Sequence, residues 1–275
     1  MSIWNAVLLG LVQGIAEFLP ISSSGHLSIV NNLFKMSNDG HMFFDVLLHL
    51  GTFISILIVY WQDLKEMVYE VLSFVNVGPL AGQPREHYPM ARMFLMIVVA
   101  TLPLFLVLPI NDQLETLYYS NVFIGIAIIL TGCMLYVADR MKPGKKTERN
   151  MTMLDALIIG LCQCVATIPG LSRSGTTITA GCFVGFERKF AVRFSFLLSI
   201  PAILGANILS LKDAVEAGIV WGEVPTYLVG VAVAALVGYA CIRLLKMIAD
   251  KGKFGFFAYY CWIVGTITLV LTIIQ

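Results

Sequence analysis

A chain of 275 residues in which 58% of the side chains are hydrophobic and only 13% charged, with a mean hydropathy of +0.84, has too little polar surface to cover a water-soluble globule. It reads as an integral membrane protein, all-α and polytopic, with residues 1–275 forming a single membrane domain. A net charge of +1 excludes nucleic acid as a partner, because binding a phosphate backbone needs a basic face.

The first apolar run, residues 3–33, is long enough to cross a bilayer once, but Pro20 and the run Ser22-Ser23-Ser24-Gly25 interrupt it. A helix is expected to stop near Leu19, since the residue before a proline is pushed out of the α region. The serines then suit the N-cap of a second, shorter helix. The result is a re-entrant hairpin, tolerated at membrane depth only where protein or a wet cavity surrounds it. No Lys or Arg precedes Lys35, so the segment lacks the basic head of a signal peptide and is expected to be retained.

Apolar segments at 43–61, 92–110 and 121–138 each approach the roughly 20 residues that span the hydrocarbon core. The polar connection from Gln62 to Tyr88 contains Gly78-Pro79 and Gln83-Pro84, and its Leu64, Met67, Val68, Val71 and Leu72 recur at helical spacing. That spacing predicts an interfacial amphipathic helix. Arg140, Lys142, Lys145, Lys146 and Arg149 make the next loop the most basic in the chain, which places it in the cytoplasm. Working backwards, Arg85 and Arg92 fall inside, and the loop Asn111 to Ser120, with Asp112 and Glu115 but no basic residue, falls outside.

The second half repeats the layout, with a broken polar segment at 154–185 and spans at 194–211, 225–242 and 255–274. Shifting the numbering by 150 superposes Gly10 on Gly160, Gln13 on Gln163, Ala16 on Ala166, Ser22 on Ser172, Ser24 on Ser174 and Gly25 on Gly175. This is an internal duplication, with repeats at about 1–140 and 151–275. Arg188, Lys189 and Arg193 put the start of the fourth span inside, whereas its counterpart at Phe44 begins outside, and Arg243, Lys246, Lys251 and Lys253 form another basic inner loop. The halves therefore run in opposite directions, as an inverted-topology repeat of six transmembrane helices plus two re-entrant hairpins, with both termini external. The six cysteines lie in or beside apolar runs without zinc-ligand spacing and are expected to be small buried hydrophobes.

The copies differ where chemistry would be placed: Glu17 faces Thr167, Ser23 faces Arg173 and His26 faces Thr176. A carboxylate and a guanidinium at membrane depth each cost about 2.5 to 3.5 kcal/mol, so they are expected to line a cavity and to have partners. If the hairpins meet, their serine-glycine turns present helix N-termini that favour an anion, and Arg173 adds a planar fork suited to phosphate. Gln13 and Glu17, four apart, share a helix face. Ser23 and His26, three apart, are expected to come within reach as nucleophile and proton shuttle, with Arg173 holding the charge that develops on phosphoryl oxygens. Asp45 and His49 are weaker candidates, equally explained by an interfacial ion pair, and His41 and His87 sit in loops where no role is assigned.

The motifs Q-G-I-A-E-F-L-P-I-S-S-S-G-H (Gln13 to His26) and P-G-L-S-R-S-G-T-T (Pro169 to Thr177) resemble those of the undecaprenyl-diphosphate phosphatase family, the bacitracin-resistance type. The resemblance covers essentially the whole chain. It implies a bacterial inner-membrane enzyme that removes one phosphate from a C55 polyprenyl diphosphate lipid, recycling the carrier for cell-wall synthesis. It also implies a site open to the periplasm and a divalent cation, Mg or Ca, in support. The family roles carry over to Ser23, His26, Glu17 and Arg173 as catalytic residues, with Glu17 as the one metal ligand. Gln13, Ser22, Ser24, Gly25, Ser172, Ser174 and Thr177 are the expected substrate-binding residues. Gln13 stands where the family also has a carboxylate, and of Ser23 and His26 the serine is taken as nucleophile. The rival reading is a secondary transporter or lipid flippase, since inverted repeats with broken helices also describe carriers. A homodimer is an arrangement the sequence leaves open.

Overall fold

Pro20 acts as expected: helix α1 (Ile3–Phe18) ends on Leu19, whose ψ of 140° is extended, and α2 (Ser23–Leu33) begins after a four-residue turn. The same break recurs between α8 (Met153–Val165) and α9 (Arg173–Phe183) around Pro169 and Gly170. In this computed structural model the described residues are 1–33, 42–74, 77, 88–217, 219–251 and 253–274. Among them the regular structure is helical, apart from an isolated bridge between Lys146 and Phe186. His41, His87, Gly78-Pro79, Gln83-Pro84 and Arg85 lie outside the described residues.

Five stretches are long and apolar enough to cross a membrane on their own: Pro89–Ile110, Asn121–Arg140, Arg188–Lys212, Trp221–Lys251 and Gly255–Ile274. The sixth expected span is α3 (Met42–Val59), which turns by 71° into α4 (Trp61–Phe74). The protein is thus all-α and polytopic. Within the stretch Pro89–Ile110, α5 (Pro89–Thr101) gives way to 3-10 turns from Leu102 to Ile110, because Pro103 and Pro109 deny the backbone N–H groups that an α-helix needs. A short helix α6 (Asn111–Glu115) precedes α7 (Asn121–Arg140), and α10 (Arg188–Ala217), α11 (Val224–Lys251) and α12 (Gly255–Ile274) complete the chain. Arg243, Lys246 and Lys251, expected in a loop, lie on the last turns of α11, where basic side chains complement the helix dipole. Helix α4 buries Met67 but exposes Val68 and Leu72, so its apolar stripe is only partly turned to the protein. Of the cysteines, Cys182, Cys241 and Cys261 are buried while Cys133 is exposed.

Packing exchanges partners between the halves. Helix α1 lies along α11 and α8 along α5, so each half's first helix rests on the other half's second span, while α7 pairs with α12 and α3 touches both α10 and α11. Close approach depends on glycine at matching positions: a Cβ on Gly10 would stand 2.5 Å from the Gly230 carbonyl oxygen, and one on Gly160 would stand 2.4 Å from that of Ala100. Small residues at helix crossings serve this purpose in membranes.

Candidate active site

Each turn is built by its own serine. Ser22 Oγ accepts the Gly25 N–H at 3.1 Å, and Ser172 Oγ accepts the Gly175 N–H at 3.1 Å. The second serine of each copy stands beside the first, Ser24 Oγ 3.4 Å from Ser22 Oγ and Ser174 Oγ 3.2 Å from Ser172 Oγ. The equivalence predicted from the 150-residue offset thus extends to cap geometry. The copies differ in where the backbone turns left-handed, at Gly170 (φ 87°) in the second but at Ser22 (φ 76°) in the first. A non-glycine residue there is held against about 1 to 3 kcal/mol of strain, a feature that concentrates at functional sites.

The two turns touch. The Gly170 N–H donates to Ser24 Oγ at 3.2 Å, and Ser172 N–H is anchored on Thr131 Oγ1 of α7 at 3.1 Å. This brings the N-termini of α2 and α9 to one place, where the amides of Ser23, Ser24, Arg173 and Ser174 have no acceptor within their own helices.

Glu17 sits at the centre, buried. One carboxylate oxygen accepts from Arg173 Nη2. The other accepts the Ser23 hydroxyl at 2.7 Å and the Gln13 amide at 3.2 Å, and His49 Nε2 stands 4.0 Å away. Four elements, α1, α2, α3 and α9, therefore meet on one carboxylate. Arg173 Nη1 is buried without a hydrogen-bond partner among the described residues. A guanidinium nitrogen left this way is costly and is a ready donor to an incoming oxyanion.

His26 is placed differently from expectation. Its Nδ1 lies 2.7 Å from the Ser22 carbonyl and its Nε2 lies 2.9 Å from the Tyr260 hydroxyl, so both ring nitrogens are engaged away from Ser23. The Ser23 hydroxyl instead donates its hydrogen bond to Glu17. Tyr260, on α12, escapes the sequence reading because it has no counterpart in the duplicated motif. Thr177 also differs: its hydroxyl lies 2.6 Å from Ser195 Oγ of α10 and 2.9 Å from the Arg173 carbonyl, which ties α9 to α10. His49 enters the site, and its Nδ1 donates to the backbone carbonyl of Asp45 at 2.9 Å.

The donor set does not fit a cage for a divalent cation. Among the described residues no three His, Cys, Asp or Glu side chains cluster closely enough to hold one. Gln13 is an amide, and Glu17 is engaged by a guanidinium and a hydroxyl, whereas magnesium and calcium need several oxygen ligands.

Residues 6–267 match the model of the family described as bacitracin resistance protein BacA. The chain belongs to that family. Similar curated proteins span the same length: the undecaprenyl-diphosphatase of Alkaliphilus metalliredigens is 38% identical, with 100% of both chains covered. That of Methanosphaera stadtmanae is 36% identical over 100% of this chain and 99% of its own. That of Pelotomaculum thermopropionicum is 41% identical over 98% and 97%. In this BacA-family chain Glu17, Ser23 and Arg173 are in contact, across helices separated by some 150 positions of sequence.

Proposed function

We propose that the protein hydrolyses undecaprenyl diphosphate to undecaprenyl phosphate and inorganic phosphate, with Ser23 as nucleophile and Glu17 as its base. The observation that carries this reading is the single carboxylate that accepts the Ser23 hydroxyl while pairing with an arginine that has a second, unsatisfied nitrogen. Membership of the family and the names of the relatives support the same activity.

The diphosphate displaces Glu17 from Arg173, which then grips the phosphoryl oxygens with both nitrogens of its fork. Ser23 Oγ attacks the terminal phosphorus, its proton passes to Glu17, and the bond to the bridging oxygen breaks, releasing undecaprenyl phosphate. Arg173 and the amides at the two helix N-termini hold the charge on the equatorial oxygens. Water then attacks the phosphoserine, the P–Oγ bond breaks, Oγ recovers its proton from Glu17, and the proton of the attacking water leaves on the released inorganic phosphate. An apolar crevice lined by Ile29, Val264, Ile267 and Leu271 begins one helical turn beyond His26 and Tyr260 and suits the first units of the lipid tail.

The site faces the cell exterior, and the two halves are inverted in the membrane. Supporting this, the residues assigned inside by charge bond with one another: Arg193 with Asp63 and Glu148, Arg92 with the Arg149 and Met151 carbonyls, and Arg188 with Asp139. Groups assigned outside do likewise, the Met1 amine with Glu223 and Asn32 with Asn121.

The test is phosphate release from undecaprenyl diphosphate by protein purified in detergent, with no gradient present. Release by the unmodified chain and a loss of roughly a thousandfold or more in Ser23→Ala are expected. Transport of the lipid in vesicles without any phosphate release would favour the carrier reading instead.

A further inference from the structure

Hydrolysis of the phosphoserine leaves one proton to place. When water attacks, Glu17 already carries the proton of Ser23 and must return it to Oγ, so it cannot also serve the water. His26 cannot either, because its Nδ1 is held by the Ser22 carbonyl and its Nε2 by the Tyr260 hydroxyl. His49 of α3 is built differently. Its Nδ1 lies 2.9 Å from the Asp45 backbone carbonyl, which can only accept, so Nδ1 holds the ring proton and Nε2 the lone pair. Nothing fills that lone pair. Its neighbour is Glu17 Oε2 at 4.0 Å, too far for a hydrogen bond, and among the described residues no donor stands closer. The His49 side chain is 36% exposed where that of Glu17 is 5% exposed, so water reaches the imidazole. Oε2 is also the oxygen that accepts the Ser23 hydroxyl at 2.7 Å, which puts a phosphoryl group on Oγ within one water of Nε2. The duplication then sets the residue apart. An offset of 150 places Ser195 at Asp45 and Ser199 at His49, and these serines bond to Thr177 and to the Phe196 carbonyl. The imidazole thus occurs only in the copy that carries Glu17 and Ser23.

We infer that His49 is a further catalytic residue, the general base for hydrolysis of the phosphoserine. The inference rests on the phosphatase reading above and concerns only its second half. The attacking water bonds to phosphorus through its oxygen while one of its O–H bonds breaks toward Nε2. The P–Oγ bond breaks, and Oγ takes the proton of Glu17. Nε2 then passes its proton to the departing phosphate, which restores the starting site. Glu17 regains its negative charge in the same step in which the imidazole, 4.0 Å away, gains a positive one. The two charges appear as a pair, and each stabilises the other.

His49→Gln keeps an amide donor near the Asp45 carbonyl and removes the base. In steady-state phosphate release from undecaprenyl diphosphate, kcat is expected to fall roughly a hundredfold, the lower end of what a general base contributes. The ratio kcat/KM should stay within about twofold of the parent value, because capture and attack by Ser23 precede the slowed step. Rapid mixing should show a burst of about one undecaprenyl phosphate per protein molecule. Acid quenching should trap phosphate on Ser23, found by mass spectrometry of the peptide that carries it. Normal turnover in His49→Gln, or slow turnover with neither burst nor phosphoserine, overturns the role of His49 and leaves the phosphatase activity itself standing. Absence of phosphate release from the unmodified protein overturns both.

Discussion

Glu17 has two partners whose claims conflict once substrate arrives. In the resting site Arg173 neutralises the carboxylate and Ser23 donates to it, while the diphosphate needs Arg173 for itself. Glu17→Gln therefore removes both the base for Ser23 and the competitor for the guanidinium. The expected outcome is a fall in kcat of about 10² to 10⁴ with KM unchanged or lower. Arg173→Lys should lower kcat and raise KM together, because an ammonium cannot reproduce the two-point fork. Steady-state kinetics separates the two patterns, and a Glu17→Gln protein with normal kcat and a raised KM would mean that Glu17 binds substrate and does not act as base. Much of this cluster was legible in the sequence: a lone carboxylate and a lone guanidinium in apolar, duplicated segments had to find each other. The partner of His26 was not legible. A three-residue spacing puts Ser23 and His26 on neighbouring helical positions, but the ring's direction is decided by the Ser22 carbonyl and by Tyr260, 234 residues away in sequence.

At the scale of elements, the breaks at Pro20 and Pro169 matter less for their shape than for what holds α1 and α8 in place. Both helices approach a partner so closely that a single methyl would meet backbone, at Gly10 against Gly230 and at Gly160 against Ala100. Neither neighbouring atom is the end of a flexible side chain, so relief requires whole helices to move. Gly10→Ala and Gly160→Ala should each destabilise the protein by about 1 to 3 kcal/mol, seen as a lower melting temperature in detergent. A melting temperature equal to that of the parent would show that the helices part without cost. The sequence revealed that these glycines recur 150 positions apart, and it placed the ends of α1, α7 and α12 within a residue or two. It did not reveal the crossed pairing of α1 with α11 and α8 with α5, because hydropathy reports which faces are apolar and not which apolar face each one meets. The extension of α11 through Arg243 and Lys246 was missed for a related reason: their long stems let charged heads reach polar surroundings from a helix that continues past the apolar run.

For the whole molecule the property to test is sidedness: the proposed inverted arrangement has the two copies enter from opposite faces and build one site between them. Basic residues set direction because Lys and Arg resist translocation, and here the charged groups sort into two sets that bond internally. Arg193, Asp63, Glu148, Arg188 and Asp139 belong to one, and the Met1 amine and Glu223 to the other. The Glu17 and Arg173 pair lies in neither set and joins the two hairpins. Single cysteines in a background freed of the native six read this directly. Lys145→Cys, after α7, should react with a membrane-impermeant maleimide only when the cytoplasmic face is exposed, and Gln113→Cys, between α5 and α7, only from the exterior. Both positions are exposed in the fold, so access depends on the membrane alone. Labelling of the two from the same side would place an even number of crossings between them, where the inverted arrangement requires the single span α7, and would separate Arg173 from the face at which Ser23 meets its substrate.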